Sequence, residues 1–488
     1  MQISKETVRH LTLKEPDLPP SEIFGLPEKV LQFGTGVLLR ALPDFFIDLA
    51  NKNRIFNGRI VVVKSTASGA TDAFERQDGL YTVCTRGIEN GKIISENSVN
   101  ASISRVIRAA DEWNKVLECA HSADIELVIS NTTEVGLRLS PDNLFGDPPA
   151  SFPGKLLAFL LERYKAFSGD PDKGLVIVPT ELIPENGQLL RSILLELCEQ
   201  NGIGQDFRTW LVESNHFCSS LVDRIVPGKL NRAEAEKLEK AWGFEDELMI
   251  MAEPYRLWAI ETSSVRAKRV LGFTEADPGA IIAPDISLFR ELKLRLLNGS
   301  HTFCCGLAQL AGFTMVREAM ADPVFSRFIR SLMDEEIAPA IESPLINLAT
   351  AHAFASKVAD RYTNPFIDHR WSNITLQYSS KMYMRNVPTL NNYIRRFAAL
   401  PKRMVLGFAA FLVFMNSKQV IDDQAEVFYE AWKEPGTEAR VQTILANKGL
   451  WNQDLSEIPG LAEKITEYLD LIMQDGMKKT LENFVQQI

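Results

Sequence analysis

Short, uninterrupted apolar runs alternate with helical patterns along the first half of the chain. The apolar runs occupy residues 29–33, 59–63, 126–130 and 174–178, and amphipathic spacing fills residues 37–52 between the first two. Strands that are covered on both faces carry apolar side chains at nearly every position, whereas a period of about 3.6 residues is typical of helices. The alternation therefore predicts a parallel sheet with helices on both faces, the doubly wound α/β arrangement.

The pattern changes near residue 285, beyond which long helical periodicities continue to the end of the chain with few runs typical of strands. The longest apolar stretch, residues 404–415, predicts a buried helix. Two prolines and a glycine in residues 277–284 interrupt the chain just before this change. A chain of 488 residues also exceeds the ~250 to 300 residues at which one hydrophobic core stops growing. We therefore predict an α/β domain over residues 1–284 and a mainly α-helical domain over residues 285–488.

Charge and cysteine usage narrow the classes of partner. Lys plus Arg number 53 and Asp plus Glu number 63, which gives a formal net charge of −10 and a pI near 5.4. A negative chain is not expected to bind nucleic acid or an anionic membrane through bulk charge, although one local basic pocket is enough for a small anion. No stretch approaches the ~20 apolar residues of a membrane span, and the six cysteines lack the spacing of a disulfide framework. We expect a cytoplasmic protein with neither a nucleic-acid nor a membrane partner.

A glycine-rich turn follows the first predicted strand. Gly34 and Gly36 take the first two glycine positions of a dinucleotide fingerprint, which form a tight turn and let a pyrophosphate approach the backbone where a helix begins. Leu39 stands at the third glycine position, so a plain glycine turn between strand and helix remains an alternative. The second strand ends near Lys64 instead of at the acidic residue that usually holds the adenosine ribose. This position therefore leaves both NAD and NADP open.

A lysine, an asparagine and a histidine occur at short spacing in the second domain. Asn298 and His301 follow Lys293 by five and eight residues, which places them ~140° and ~80° from it on a helix of ~100° per residue. All three side chains can reach one carbonyl group from one broad side of that helix. A desolvated lysine can exchange a proton near neutral pH, and an asparagine amide can donate to a developing alkoxide. The alternative is a solvated helix face followed by an Asn-Gly helix stop.

Residues 293–302 (KLRLLNGSHT) resemble the K-x4-N-x2-H signature of the polyol-specific long-chain dehydrogenases, the mannitol dehydrogenase family. Other stretches match family segments in the expected order, namely residues 33–41, 77–81, 131–134, 221–227 and 361–365. The resemblance spans about residues 28–430. It implies a Rossmann-type α/β N-terminal domain plus a mainly α-helical C-terminal domain, with the active site in a cleft between them.

The resemblance also implies an oxidoreductase that uses NAD and no metal ion, with NADP not excluded. Lys293 would act as general acid in ketone reduction and as base in alcohol oxidation, Asn298 would polarise the carbonyl, and His301 would hold a neighbouring oxygen. Hydride comes from the cofactor, so the protein positions the substrate and stabilises charge. The cofactor-binding residues that the resemblance implies are Phe33, Gly34, Thr35, Gly36, Val37, Leu38, Arg40, Lys64, Asn131, Thr133 and Glu134.

Within the family, the matching stretches are most similar to members whose substrates are keto-uronates and the corresponding aldonates. A uronate carries a carboxylate, which needs a cation or several donors when it is buried. Arg361, His369 and Lys381 are the candidates, although each is also compatible with a surface or structural role. The family's second active-site asparagine is replaced by Leu182, and Asn186 in the same loop is either its substitute or an ordinary Asn-Gly turn.

Two other functions stay open at this point. Another oxidoreductase of the same family would act on a different keto acid or on a polyol. A cofactor-binding sensor would keep the fold without the chemistry, but it would have no chemical need for Lys293, Asn298 and His301 together. The six histidines show neither HxH nor HExxH spacing, so we expect no zinc site.

Overall fold

The computed structural model describes residues 1–65, 71–132, 136–417 and 420–487. The chain divides into two compact units, the first formed by Met1–Arg86 and Ile93–Ile286 and the second by Gly87–Lys92 and Ser287–Ile488. The first unit combines helices with a parallel sheet, and the described part of residues 287–488 contains helices joined by turns and loops, with none of the named strands. The predicted fold class is therefore confirmed.

The described residues form twelve strands. They are β1 (Glu28–Phe33), β2 (Arg59–Lys64), β3 (Tyr81–Glu89), β4 (Lys92–Asn100), β5 (Ile103–Arg108), β6 (Leu127–Ser130), β7 (Val176–Pro179), β8 (His216–Phe217), β9 (Ser220–Asp223), β10 (Ile250–Ala252), β11 (Leu257–Glu261) and β12 (Ala280–Ala283). The largest sheet has the order β5-β2-β1-β6-β7-β8, and every neighbouring pair in it is parallel. Two three-stranded sheets have the orders β10-β3-β4 and β12-β11-β9. All four apolar runs predicted as strands lie in the largest sheet, as β1, β2, β6 and β7.

Both faces of the parallel sheet are covered. In β1, Leu31 and Phe33 pack into one apolar cluster while Val30 packs into the other. Every residue of β2 is buried, including the charged Arg59 and Lys64 at its ends. Because neither face of these strands meets water, their sequences read as continuous apolar runs instead of alternating ones.

The helices of the first unit surround these sheets. They are α1 (Lys5–His10), α2 (Val37–Ala41), α3 (Pro43–Lys52), α4 (Asp72–Arg76), α5 (Ala109–Cys119), α6 (Phe152–Ala166), α7 (Asn186–Gln200), α8 (Gln205–Glu213), α9 (Arg232–Trp242) and α10 (Val265–Val270). The helical pattern predicted over residues 37–52 is divided between α2 and α3. Leu42 separates them with φ −130° and ψ −77°, and Pro43 opens α3. Proline disfavours helical geometry in the preceding residue and lacks the N–H that would continue the helix, which explains the break.

The second unit is built from helices and three π-helical segments. The helices are α11 (Ser287–Leu292), α12 (Ser300–Leu310), α13 (Val316–Ala321), α14 (Pro323–Ser331), α15 (Ala338–Ile341), α16 (Leu348–Tyr362), α17 (Trp371–Ile374), α18 (Tyr378–Lys381), α19 (Val387–Phe397), α20 (Lys402–Met415), α21 (Ala425–Ala431), α22 (Thr437–Leu445), α23 (Lys448–Trp451), α24 (Leu461–Asp475) and α25 (Met477–Gln487). The π-helical segments are Lys293–Gly299, Leu332–Ile337 and Met382–Asn386. The apolar stretch predicted as a buried helix forms most of α20 and is buried along nearly its whole length. None of the helices that the structure describes has the length and apolarity to cross a membrane.

A buried polar cluster lies directly behind the turn that follows β1. The Asp44 carboxylate, fully buried in the first turn of α3, accepts hydrogen bonds from Gln32 Nε2 and from the Tyr81 hydroxyl, both at 3.4 Å. Burial raises the pKa of Asp44 to about 7, against the opposing effects of the Gln32 hydrogen bond and the Arg40 charge. Asp44 therefore holds a proton in the folded protein at pH values where an exposed aspartate has lost it.

This shift makes stability depend on pH in a definite direction. Because the folded pKa lies above the unfolded one, the stabilisation from protonated Asp44 is complete below pH ~4 and is lost as the pH rises to about 7. In the variant Asp44→Asn the amide cannot ionise. We expect the free energy of unfolding of the wild type, relative to this variant, to fall between pH ~4 and ~7 by an amount on the order of 4 kcal/mol. Denaturant unfolding across that range measures the difference, with exposed Asp206→Asn as control. A difference between wild type and Asp44→Asn that does not change with pH would contradict this account of Asp44.

Candidate active site

The glycine turn lies at the point where the strand order of the parallel sheet reverses. β1 has β2 on one side and β6 on the other. The Gly34 N–H donates to Val63 O at 3.0 Å and the Asn131 N–H donates to Phe33 O at 3.2 Å, so the turn is tied to both neighbouring strands. In open parallel sheets a crevice forms at such a reversal, and nucleotides bind in it.

The two glycines of the turn are needed for different reasons. Gly34 has φ +129°, and a Cβ there would lie 2.8 Å from Leu39 Cδ1 and 3.0 Å from Asn131 O. Gly36 caps α2 with φ −63°, and a Cβ there would meet no described atom within 4 Å. Gly34 therefore forms the turn, whereas the backbone at Gly36 is open to a ligand. This arrangement fits a dinucleotide, whose pyrophosphate needs close access to backbone N–H groups.

The other predicted cofactor residues of the first unit differ in exposure. Thr35, Val37 and Leu38 are half-buried beside the turn, while Phe33 is fully buried in the core behind it. Lys64 is buried at the end of β2, the strand next to β1. Only the half-buried residues and the glycines thus offer surface on the open side of the turn.

Arg40 is directed into the first unit. Its Nη1 donates to Leu248 O at 2.6 Å, and its guanidinium lies over the rings of Phe74 and Tyr81 at 5.7 and 5.3 Å. Burial lowers the pKa of Arg40. These contacts are structural, because they fix α2 against the body of the unit.

Asn131 joins two strand ends. Its side-chain amide donates to the carbonyl oxygen of Thr180 at 3.1 Å and to the Thr180 hydroxyl at 2.9 Å, which ties the end of β6 to the end of β7. Asn131 thereby shapes the crevice floor beside Gly34. Thr133 and Glu134, the next predicted cofactor residues, lie outside the described residues.

Asn186, the first residue of α7, is held by hydrogen bonds to the preceding loop and to β9. Its amide donates to Pro179 O, Glu181 O and Ser220 O at 3.1, 2.9 and 3.1 Å, and its side-chain oxygen accepts from Ser220 N at 2.9 Å. The side chain is completely buried. These contacts favour a structural role for Asn186 over the predicted substrate-binding role, because its donors and its acceptor already hold the loop to β9. Leu182, at the position of the missing family asparagine, is 58% exposed.

Lys293 opens the π-helical segment Lys293–Gly299, which joins α11 to α12. The α-helical geometry predicted for these residues is therefore wrong. In a π-helix each N–H bonds five residues back instead of four, and each turn holds more residues, so Asn298 points closer to the direction of Lys293 than the ~140° separation of an α-helix. Lys293 and Asn298 are half-buried, and His301 is buried in the first turn of α12. The π winding brings the lysine and the asparagine to one side of the helix.

Side chains from neighbouring helices bind the backbone where the winding is irregular. The Tyr362 hydroxyl donates to Leu297 O at 2.7 Å. Arg295 donates to two backbone carbonyls of the π-helical segment Met382–Asn386, at 3.1 and 2.8 Å. Carbonyls displaced from regular helix pairing need other donors when they are buried. Tyr362 and Arg295 supply them and so hold two π-helical segments together.

His301 lies in an aromatic enclosure. Its ring stacks on Tyr362 at 4.1 Å with an interplanar angle of 23°, and it meets His369 and Trp371 edge-on at 4.8 and 5.9 Å. Burial lowers the pKa of His301 well below its usual value, and nearby positive charges lower it further, so the imidazole is neutral at pH 7. Its Nε2 is buried without a described hydrogen-bond partner. Such an atom in a native site indicates a group that a ligand completes.

Three basic side chains act on this imidazole. We call Arg361, Lys381 and Arg385 the cation group, and they come from α16, α18 and the segment Met382–Asn386. Lys381 Nζ donates to a backbone carbonyl at 2.9 Å, and Arg385 Nη1 donates to a threonine hydroxyl at 3.2 Å. Burial lowers the pKa of both residues. Neither forms an ion pair with a carboxylate in the described part of the chain.

Six of the residues predicted in the second domain are associated here. Lys293, Asn298 and His301 lie on consecutive turns, His369 contacts the His301 ring edge-on, and the charges of Arg361 and Lys381 lower the pKa of that ring. Sequence reasoning missed Arg385. It follows Lys381 by four residues, a spacing that places two side chains on one helix face. That spacing was the available signal.

Chemically, this arrangement suits an anionic ligand with several hydroxyl groups. A carboxylate that leaves water is stabilised by charge-assisted hydrogen bonds from guanidinium or ammonium groups. The neutral His301 ring can exchange a hydrogen bond with a hydroxyl through Nε2. Among the described residues, no group of three or more His, Cys, Asp or Glu side chains is arranged to hold a metal ion.

Two family models together match most of the chain. Residues 28–271 match the mannitol dehydrogenase Rossmann domain, and residues 285–473 match the mannitol dehydrogenase C-terminal domain. Among curated relatives, altronate oxidoreductase of Bacillus subtilis is 38% identical, with coverage of 94% of this chain and 95% of the relative. Altronate oxidoreductase of Halalkalibacterium halodurans is 36% identical, covering 95% and 94%. That of Shigella flexneri is 35% identical, covering 96% and 99%.

Solved structures share the fold. Mannitol 2-dehydrogenase of Pseudomonas fluorescens, in a ternary complex with NAD and D-mannitol, is 22% identical over 100% of both chains with a TM-score of 0.70. A substrate-free D-sorbitol dehydrogenase is 20% identical over 98% of this chain and 100% of that one, with a TM-score of 0.81. The prediction of an oxidoreductase is confirmed, and the chain belongs to the mannitol dehydrogenase family.

Proposed function

We propose that this protein catalyses the reversible, NAD-dependent reduction of D-tagaturonate to D-altronate in hexuronate breakdown. The observation that carries the proposal is the cation group around neutral, buried His301, since two of its members have no described carboxylate partner. A uronate brings the negative charge that this site lacks, whereas a neutral polyol does not. The names of the relatives at 35–38% identity support the same substrate pair.

The proposed roles follow from position and chemistry. NADH, when bound, supplies the hydride that forms the new C–H bond at the ketone carbon. Lys293 gives its ammonium proton to the carbonyl oxygen and is reprotonated from solvent; in the oxidation it takes that proton back. Asn298, on the same π-helical segment as Lys293, donates to the developing alkoxide. His301 holds a neighbouring hydroxyl through Nε2, with His369 beside it.

The glycine turn supports a dinucleotide cofactor. The residue at the end of β2 is compatible with either NAD or NADP. Lys64 lies where an acidic residue would favour NAD, and a cation there is compatible with the 2′-phosphate of NADP. We propose NAD because the family resemblance implies it. A reducing cytoplasm is the proposed location, since all six cysteines are free and buried.

Substrate identity is tested by following the oxidation of NADH and of NADPH with D-tagaturonate, D-fructuronate and D-fructose in parallel. We expect D-tagaturonate with NADH to give the highest kcat/KM. Turnover of D-fructose without turnover of D-tagaturonate would refute the substrate assignment and favour a polyol enzyme of the same family. Absence of turnover with every pair, together with NADH binding, would favour the sensor alternative.

The proton-transfer role predicts a large loss in Lys293→Ala. Removal of a general acid typically costs 10²-fold or more in rate, so we expect kcat to fall at least ~100-fold. Binding of NADH, measured by fluorescence titration, should be largely kept. Lys357→Ala, at an exposed lysine of α16 in the same unit, is the control and should keep the wild-type rate. Near-normal turnover in Lys293→Ala would refute the assignment.

Substitution of each glycine of the turn by alanine should affect a different property: Gly34→Ala should lower stability, and Gly36→Ala should weaken NADH binding. Gly34→Ala places a Cβ against backbone at positive φ, so we expect a loss of about 1–3 kcal/mol in the free energy of unfolding. Gly36→Ala should leave stability nearly unchanged, because the new Cβ meets no described atom within 4 Å. It should still raise the Kd for NADH by about tenfold, since the methyl group occupies the space that the pyrophosphate needs. Unchanged NADH affinity in Gly36→Ala would show that the cofactor does not approach this turn.

A further inference from the structure

Arg385 differs from the buried arginines that have a structural role in this protein. Arg163, which is almost completely buried, donates to four backbone carbonyls, at 2.6 to 3.3 Å. Arg224 donates to two carbonyls and a hydroxyl. The Arg385 side chain has a single described hydrogen bond, from Nη1 to Thr302 Oγ1 at 3.2 Å, although a guanidinium carries five N–H donors. Most of its donors are therefore available to a ligand.

Among the described residues, no carboxylate contributes to the electrostatic surroundings of Arg385. The described groups that favour its charge are the Cys305 thiol and the Tyr362 hydroxyl. Lys381, four residues earlier, adds a second positive charge. The nearest acidic influence on Lys381 is Asp422, whose oxygens accept from the backbone N–H and the hydroxyl of Ser379 at 2.7 and 2.6 Å. The Asp422 carboxylate thus already accepts two hydrogen bonds from Ser379 at the start of α18.

Thr302 fixes the position of Arg385 relative to the predicted catalytic residues. Its hydroxyl accepts from Arg385 and donates to Asn298 O at 2.7 Å. Thr302 is completely buried and follows His301 directly in α12. The guanidinium is therefore held at the Thr302 hydroxyl, one helical turn from the Asn298 backbone, and its charge lowers the pKa of His301.

We propose that Arg385, oriented by Thr302 and assisted by Lys381, binds the substrate carboxylate and thereby determines the preference for uronates over neutral ketoses. This inference rests on the proposed function. A planar guanidinium can bind both oxygens of a carboxylate in parallel, which gives direction as well as charge. Arg385 acts in binding and takes no part in the proton or hydride transfer.

The test compares D-tagaturonate with D-tagatose, which carries a hydroxymethyl group in place of the carboxylate. In Arg385→Gln we expect KM for D-tagaturonate to rise at least about tenfold, the scale of a lost charge-assisted hydrogen bond. The kcat/KM ratio of D-tagaturonate to D-tagatose should fall by a similar factor, while KM for NADH changes less than about twofold. Arg385→Lys keeps the charge without the planar fork and should recover part of the ratio. Arg395→Gln, at an exposed arginine of α19, is the matched control and should behave as wild type.

Thr302→Val supplies an independent measurement if Arg385→Gln fails to fold. It removes the hydroxyl that orients the guanidinium while keeping the side-chain volume, and we expect a smaller rise in KM for D-tagaturonate with KM for NADH unchanged. A D-tagaturonate to D-tagatose ratio that stays at the wild-type value in Arg385→Gln, or in Thr302→Val where only that variant folds, overturns the inference. A collapse of the ratio in Arg361→Gln with no effect in Arg385→Gln overturns it as well. In both cases the proposed function stands, since a wild type inactive on D-tagaturonate is the separate result that refutes that function.

Discussion

The second unit is organised around a concentration of positive charge at one buried imidazole. Arg361, Lys381 and Arg385 all act on His301, and burial of that ring keeps it neutral so that it adds no further charge. Like charges held close together in a poorly solvated place repel one another, and neither Lys381 nor Arg385 forms an ion pair with a described carboxylate. An anion relieves this repulsion on binding. The chemistry that we propose for the protein depends on that single electrostatic demand.

The π-helical segments make this arrangement possible. The wider winding of Lys293–Gly299 brings Lys293 and Asn298 closer to one side of the helix than α-helical winding would. Arg385 lies in the second π-helical segment, Met382–Asn386. Irregular winding disturbs hydrogen bonding, and here Tyr362 and Arg295 donate to the backbone of these two segments. Tyr362 also stacks on His301, so one side chain both supports the winding and positions the ring. The irregular winding and the position of the His301 ring therefore both depend on Tyr362.

The layers of the fold were predictable from sequence, and the local winding was not. Apolar runs such as residues 29–33 predict strands because a strand buried on both faces has apolar residues at nearly every position. The break at Leu42 is caused by Pro43. The helical spacing of apolar residues continues across this position, so the pattern alone predicted one helix. A π-helical segment leaves no such periodic signature, since it depends on partners as distant in sequence as Tyr362.

In the candidate site, too, some residues were predictable from the sequence and others were not. A short motif identified Lys293, Asn298 and His301, because three residues with related chemistry lie close together in sequence. The spacing of Arg385 from Lys381 was visible in the sequence, but its sparse side-chain hydrogen bonding and the buried contacts of Asn186 were not. Contacts that form through tertiary packing decide which polar residues are available to a ligand and which support the fold.

The central claim is that this site requires a negative charge on its ligand. Isothermal titration of the NADH-saturated protein with D-altronate and with D-altritol tests it directly, because the two ligands differ in a carboxylate against a hydroxymethyl group and neither reacts with the reduced cofactor. The account predicts that D-altronate binds at least about tenfold more tightly than D-altritol. Equal affinity for the two ligands would contradict it.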